Sequence, residues 1–351
     1  MFIYWLFFLT FSLFSVNPIK FEKNTINILR FFFLFILSIF IGLRFEVGGD
    51  WDIYLNDFNN NIKFFDFFSF SYVRDFGYEF ISYIFYNLRF GIYGVNLSIA
   101  VLFVYSLHKF AINLDNENYS LIFLVSLPYL IVVVSMGYTR QAAALSFILL
   151  SICSFQHKKN YSYVIYLLLA ILFHKSSVVM IPIIFISQIK YTIKNFIILL
   201  FLSYIAFLTI YPEITRISSG YFSNSSKYVS QGVYFRIVLN LFSGLLFILF
   251  YRFLKHNNYF DRLIFITIFI NFLMIFLINA YSTFVDRLMI YFTFIQLMIF
   301  SRMYLIYPKL KIIFNLFVII IYFIVFYLWL NFANHSFLWI PYKNILIEVF
   351  K

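Results

Sequence analysis

The chain has 351 residues, of which 64% are hydrophobic and 11% are charged, with a mean hydropathy of +0.92. A soluble domain is about 45–50% apolar and about 25% charged, so these values exclude an ordinary water-soluble fold. Apolar runs long enough to cross a bilayer as helices recur along the whole sequence, without the alternation of barrel strands. The sequence therefore predicts an all-α, polytopic transmembrane helical bundle.

The formal net charge is +12, and most basic residues fall between the apolar runs. Lysine and arginine accumulate in cytoplasmic loops, so the charge is explained by topology and no nucleic-acid partner is predicted. The single cysteine, Cys153, cannot form an intramolecular disulfide. Because no cluster of cysteine and histidine offers a metal site, the sequence predicts neither a metal nor another cofactor.

The apolar runs predict roughly twelve membrane crossings in one integral membrane domain, residues 1–351. Two polar stretches, about 44–76 and 212–232, are predicted to be external loops, and the tail 333–351 an interfacial segment. The predicted helices, in chain order, are 1–16, 28–43, 77–88, 91–110, 119–136, 142–155, 161–173, 176–188, 195–211, 233–251, 263–279, 288–300 and 312–332.

The segment 77–88 is the ambiguous one, since it is short and contains Glu79. We interpret it as a helix that lies in the interface or inside the bundle. The alternative is a full crossing, which would place the basic turn 157–159 outside, against the positive-inside rule. The segment 176–188 is also short for a crossing and contains Pro182, which is typical of a broken helix.

Polar residues that could take part in binding or catalysis are predicted at the outer ends of these helices. Three of them are arginines, which topology alone would place on the other side of the membrane. A guanidinium donates several charge-assisted hydrogen bonds to phosphate and keeps its proton, so several arginines together suit a diphosphate. The predicted outer-end residues are Arg44, Asp50, Arg140, His174 and Arg287.

A general base is expected beside the arginines, and two residues compete for that role. His174 titrates near neutral pH, whereas Asp50 follows two glycines that allow a tight turn or a close ligand approach. Trp51 and Tyr54 are candidates for sugar stacking or for contact with the membrane interface, and Glu79 is a further candidate for sugar binding. A simpler interpretation of some acidic residues is that they are solvated or paired with Arg44 and Arg74; these are Glu46, Asp52 and Glu79.

Five short motifs follow one another in the sequence and together resemble the EpsG-type polysaccharide polymerases, which are similar to the Wzy polymerases of O-antigen and capsule. The motifs are RFEVGGDWDIY from Arg44 to Tyr54, GYEF from Gly77, RQAAA from Arg140, FHKSS from Phe173, and Arg287 with Tyr291. The resemblance covers about 42–291. The last two spans and the tail carry no such motif.

The resemblance implies a GT-C-like glycosyltransferase in the bacterial inner membrane, with its active site facing the periplasm or exterior. Donor and acceptor would both be oligosaccharides on undecaprenyl diphosphate, and no nucleotide sugar or metal would be required. Arg44, Arg140 and Arg287 would hold the diphosphates, while His174 or Asp50 would accept the proton of the attacking hydroxyl. The bilayer and a chain-length regulator protein are the other expected partners.

Two other functions would also require polar residues within a helical membrane protein. A lipid-linked glycan transporter or flippase should place cations deep in an inward-facing cavity and show internal duplication, and the sequence shows neither. A membrane acyltransferase that modifies surface sugars would also use an embedded histidine, but it needs a site that an acyl donor can reach.

Overall fold

The structure, a computed structural model, describes residues 1–16, 22–60, 62, 75–114, 116–156, 161–189, 230 and 232–348. The predicted helix 195–211 and nearly all of the predicted loop 212–232 lie outside these residues. Within them the chain is helical, and its one β-type contact is an isolated bridge between Arg44 and Asn344. The prediction of an all-α fold is confirmed.

Fourteen helical segments organise the described part of the chain. They are α1 Phe2–Val16, α2 Lys23–Gly42, α3 Trp51–Asn60, α4 Phe76–Asn87, α5 Gly91–Leu114, α6 Tyr119–Gly137, α7 Thr139–Gln156, α8 Ser162–Phe173, α9 Lys175–Gln188, α10 Val233–Leu249, α11 Asn258–Leu277, α12 Ile278–Phe292, α13 Phe294–Arg302 and α14 Lys311–Phe332.

Five of the described helices, α2, α5, α6, α11 and α14 with its preceding turn, are long and apolar enough to cross a membrane. A sixth crossing results if the two helices that meet at Thr293 with a bend of 44° are taken together. Four further apolar helices are shorter. The helices indicate a membrane-embedded protein, while the count of roughly twelve crossings and the GT-C-like arrangement stay predictions.

Helix α6 lies at the centre of the bundle and is almost entirely buried. It contains Pro128, which cannot donate the usual backbone hydrogen bond, and a π-helical stretch runs from Leu127 to Val134. Helix α7 follows directly after the non-helical residue Tyr138. The sequence thus delivers Tyr138 and the first turn of α7 to one end of the most buried span.

Buried amides join the helices of the second half of the chain. Asn240 in α10 donates to Asn271 in α11 at 2.9 Å, and Gln296 in α13 donates to Asn240 at 2.6 Å. Tyr322 in α14 donates to the Gln296 carbonyl oxygen at 2.6 Å. Apolar helices gain little from burial against each other inside lipid, so interhelical hydrogen bonds of this kind stabilise their arrangement.

The C-terminal tail, which was expected to lie in the interface, folds back over the turn that follows α2. The Phe45 amide donates to Lys343 O at 3.0 Å, and the Ile345 amide donates to Leu43 O at 2.9 Å. The Gly48 amide donates to Leu338 O at 2.9 Å. The tail therefore satisfies the backbone of a turn that would otherwise have too few partners.

Candidate active site

Arg44 lies in the turn after α2 and is almost completely buried, with 1% of its surface exposed. Its guanidinium donates to Ile41 O at 2.9 Å and to Val47 O at 3.1 Å. It also donates to Asn96 Oδ1 in α5 at 3.3 Å and to Thr139 Oγ1 in α7 at 2.9 Å. With these contacts Arg44 connects three elements, and little of its hydrogen-bonding capacity remains for a ligand.

Burial lowers the pKa of Arg44 to about 10, so the buried guanidinium still carries its charge at neutral pH. Of the two interpretations given for Glu46, solvation holds and pairing with Arg44 does not, since its side chain is 52% exposed. Glu46 has a left-handed backbone (φ 52°) that turns its side chain outward, where it forms a salt bridge of 2.7 Å with Lys343 of the tail.

Asp50 occupies the end of a tight turn immediately before α3. Gly48 has φ +116°, and a Cβ placed on it would lie 2.2 Å from Met136 O, so this position requires glycine. The turn is thereby pressed against the end of α6. Asp50 is half-buried, and no described residue donates a hydrogen bond or forms an ion pair with its carboxylate.

Burial raises the pKa of Asp50, while electrostatic interactions with Arg287, Arg140 and His174 act to lower it. All three residues thus lie close enough to Asp50 to influence its titration. The structure therefore brings together four of the five residues predicted at outer helix ends, which come from four separate regions of the sequence.

Arg140 stands in the first turn of α7 between two carboxylates. Its guanidinium is 2.8 Å from Asp57 Oδ2 and 3.6 Å from Asp75 Oδ2. The rings of Tyr54 and Tyr78 lie 5.2 Å and 5.1 Å from its Cζ atom, within the range of a cation–π contact. The Nε atom of Arg140 is buried and has no partner among the described residues.

His174 ends α8 and is held at both ring nitrogens. Nδ1 is 3.3 Å from Asp75 Oδ2, and Nε2 is 3.1 Å from the amide nitrogen of Gln141. These contacts are satisfied when Nδ1 carries the proton and donates to Asp75, while Nε2 accepts from Gln141. In that tautomer the nitrogen that would act as a base is already engaged.

Asp75 therefore contacts both Arg140 and His174, and it is nearly buried, with 8% of its side chain exposed. Asp75 is the residue before α4, and it links this helix to the start of α7 and to the end of α8. The side chains of Arg140 and His174 are positioned by one shared carboxylate.

Arg287 in α12 is half-buried and contributes to the electrostatic field at Asp50 and at Tyr138. Its neighbour Asp286 forms a salt bridge with Arg236 of α10, and the Arg236 guanidinium lies 4.0 Å from the centre of the Tyr129 ring. A second buried ion pair therefore borders the site.

The FHKSS motif and Tyr291 meet in space. The hydroxyl groups of Ser176 in α9 and Tyr291 in α12 are 2.9 Å apart. This contact fixes the start of α9 against the helix that carries Arg287.

The predicted sugar-binding residues have different surroundings. Trp51 is buried against Tyr93 at 6.0 Å and against Arg44, and Tyr54 is buried beneath Arg140. Both rings are therefore parts of the protein interior that support the arginines. Glu79 is half-buried in the first turn of α4.

A tryptophan of the C-terminal tail packs against two of the backbone segments that form the site. Trp339 is buried, and its indole donates to Val132 O in the π-helical stretch at 2.9 Å. A Cβ on Gly137 would lie 2.5 Å from the Trp339 ring, and one on Gly49 would lie 3.2 Å from it. The ring therefore packs against both the turn that carries Asp50 and the end of α6.

Several residues of this site were not predicted as site residues: Asp57, Asp75, Gln141, Arg236, Asp286 and Trp339. A charge within an apolar run is itself a signal for function, and Arg236 in the predicted span 233–251 met that criterion. The two carboxylates Asp57 and Asp75 were assigned only to a polar loop. Trp339 gave no local signal, because its importance arises from contacts with distant parts of the chain.

The arrangement provides two chemical capabilities. Arg140 and Arg287 supply positive charge at a site partly shielded from water, where electrostatic stabilisation of a developing anion is strong. Asp50 supplies a carboxylate without a hydrogen-bond partner among the described residues, facing those cations. Such a constellation suits a reaction in which a proton is removed while negative charge develops on a leaving group.

Comparison with known proteins gives one family. The model of the EpsG family matches residues 27–344, which include every residue discussed for this site. Searches of curated proteins and of solved structures give no match.

Proposed function

The chain belongs to the EpsG family, and on this premise we propose that it is a polysaccharide polymerase. It transfers a growing glycan from undecaprenyl diphosphate to a lipid-linked repeat unit at the outer face of the bacterial inner membrane. The observation that carries the proposal is a cluster in which Asp75 contacts both Arg140 and His174, with Asp50 and Arg287 close enough to interact electrostatically. It needs no cofactor, since the leaving diphosphate is itself activated by positive charge.

In the proposed reaction a hydroxyl oxygen of the acceptor sugar attacks the anomeric carbon of the donor. The bond between that carbon and the diphosphate oxygen breaks, and the diphosphate leaves with an additional negative charge. Arg140 and Arg287 stabilise this charge. Arg44 acts indirectly, because its hydrogen-bond donors are already engaged within the protein. Its bond to Thr139 fixes the first turn of α7, which carries Arg140.

Asp50 is the proposed general base, in preference to His174. The carboxylate has no hydrogen-bond partner among the described residues, and burial raises its pKa toward the range in which it can accept a proton efficiently. His174 instead positions Asp75 and Gln141 around Arg140.

The test uses cells that depend on this chain for their surface polysaccharide. Arg140→Ala and Asp50→Asn, at unchanged protein level, should each abolish long polymer while single repeat units still reach the surface. Removing a general base typically lowers the rate about 10²–10⁴-fold, and removing a stabilising charge has a similar effect. Arg252→Ala, at an exposed arginine in the short helix Tyr251–Leu254 that follows α10, is the matched control and should leave polymer length unchanged.

Two results would contradict the proposal. Loss of single surface units together with polymer in the Arg140 variant would favour the flippase function. Normal polymer in the Asp50→Asn variant would remove Asp50 from the reaction.

A further inference from the structure

A cavity of about 510 Å³ opens beside the proposed active site, between the end of α3 and the joint of α4 and α5. Its lining residues are Phe58, Tyr86, Asn87, Arg89 and Gly91. The Phe58 and Tyr86 rings form one wall and meet edge to face, with their centres 6.1 Å apart. The reaction proposed above uses none of these side chains.

The backbone at Arg89 has an unusual conformation for an arginine. Its φ is +61°, and its amide donates to Tyr86 O at 3.1 Å, while the Phe90 amide donates to Phe85 O at 3.1 Å. The rings of Phe85 and Phe90 are in contact, with centres 6.2 Å apart. These features define a Schellman motif, in which the left-handed residue is usually glycine because a side chain is disfavoured there.

Helix α4 therefore ends on an arginine at a position where glycine would be more favourable for the backbone. The side chain is exposed, and no described residue forms a salt bridge or a side-chain hydrogen bond with it. Asn87, which also lines the cavity, donates its amide to Tyr83 O at 2.8 Å and is exposed, so its carbonyl oxygen is left as an acceptor. The cavity thus offers a guanidinium, an amide oxygen and an aromatic wall.

The cavity shares two helices with the active site. Asp57 and Phe58 are neighbours on α3, and Asp57 contacts Arg140. Tyr78, beneath Arg140, and Tyr86, in the cavity wall, are separated by eight residues of α4, or about 12 Å along the helix axis. A glycan whose reacting end lies at Arg140 could therefore reach the cavity with a more distant sugar.

We propose that this cavity is a glycan subsite that binds a carboxylate-bearing sugar of the oligosaccharide substrate. The inference rests on the proposed function and specifies the chemical class of its substrate. Arg89 binds the carboxylate by charge-assisted hydrogen bonds, Asn87 accepts from a sugar hydroxyl, and Tyr86 contacts the apolar face of the ring.

The Schellman motif allows a test in which loss of folding and loss of binding are separable. Arg89→Gly removes the charge but suits the left-handed backbone, so its thermal unfolding midpoint should equal or exceed that of the unsubstituted protein. Binding is measured on the purified full chain in nanodiscs of zwitterionic lipid. The probes are hexagalacturonate and neutral maltohexaose.

The unsubstituted protein should bind hexagalacturonate more tightly than maltohexaose. Arg89→Gly should weaken hexagalacturonate binding about tenfold, as expected for one charged hydrogen-bonding group, and leave maltohexaose binding unchanged. Arg89→Lys should retain part of the preference because it keeps the charge. Arg252→Gly, a substitution far from the cavity, should bind both probes like the unsubstituted protein.

The proposal is overturned if Arg89→Gly binds hexagalacturonate as the unsubstituted protein does, or if the unsubstituted protein does not distinguish the two probes. It is also overturned if the effect of Arg89 is seen only as retention on anionic-lipid vesicles, which would make the site a headgroup contact. The binding assay requires no turnover, so its outcome is independent of the polymer measurements that test the proposed function.

Discussion

The contact between Gly137 and Trp339 provides a direct test of how the tail holds the site together. Gly137 ends α6, just before Tyr138 and Arg140. A methyl group at this position would lie 2.5 Å from Trp339 Cζ2 and 3.2 Å from Cη2. Gly137→Ala therefore introduces a methyl group into space that the tryptophan ring occupies.

The expected magnitude follows from the packing. Adding a methyl group to a filled site costs about 1–3 kcal/mol, because the ring must move or leave its rotamer. Movement of Trp339 would also strain its 2.9 Å hydrogen bond to Val132 O. In a Trp339→Leu background the obstacle is gone, so the same alanine should be neutral, or stabilising by about 0.5–1 kcal/mol through its greater helix propensity.

The four proteins of this double-mutant cycle can be compared by thermal unfolding in one detergent. The chain has a single cysteine, Cys153, which is half-buried in α7 and becomes accessible to a thiol-reactive dye on unfolding. The double variant should be more stable, by an interaction energy of about 1–3 kcal/mol, than the summed stability changes of the two single variants predict. An equal cost of Gly137→Ala in both backgrounds would refute the packing argument.

Three further outcomes are expected. Asp50→Asn should raise the unfolding midpoint at pH 7, because burial raises the pKa of Asp50 and makes its ionisation unfavourable in the folded protein. This gain should vanish below pH 3.8, the ordinary pKa of the carboxyl group. A constant gain from pH 3 to 8 would contradict the prediction. Arg44→Met should lower protein level and unfolding midpoint, since each buried carbonyl left without a donor costs about 1–3 kcal/mol; a folded variant with only a raised KM would argue for direct substrate contact. Arg236→Gln and Asp286→Asn should each lower the free energy of unfolding by about 3–5 kcal/mol, and the double substitution should lower it by less than the sum of the two. Additive losses would exclude a coupled buried pair.

Much of the fold was readable from the sequence, because the length of an apolar run and the position of polar residues are local properties. The prediction 91–110 corresponds to Gly91–Leu114, and 161–173 corresponds to Ser162–Phe173. The family resemblance is confirmed by the match over residues 27–344. The segment 77–88, interpreted as a helix that need not cross, is α4 and is not among the candidate spans.

The roles within the site depended on information that no local pattern contains. Three arginines look alike in the sequence, yet Arg44 is buried and bonded to Ile41 and Val47, while Arg140 is paired with two carboxylates. These differences arise from helix packing, which decides how much water and how many partners each guanidinium retains.

By itself, the sequence determined that the chain is a helical membrane protein with polar residues grouped at helix ends, since hydrophobic length and charge placement act over short distances. Only the tertiary structure decided that Asp75 serves both Arg140 and His174, and that Trp339 closes the turn before Asp50. Those contacts join residues tens to hundreds of positions apart, and their energies exist only once the helices have packed.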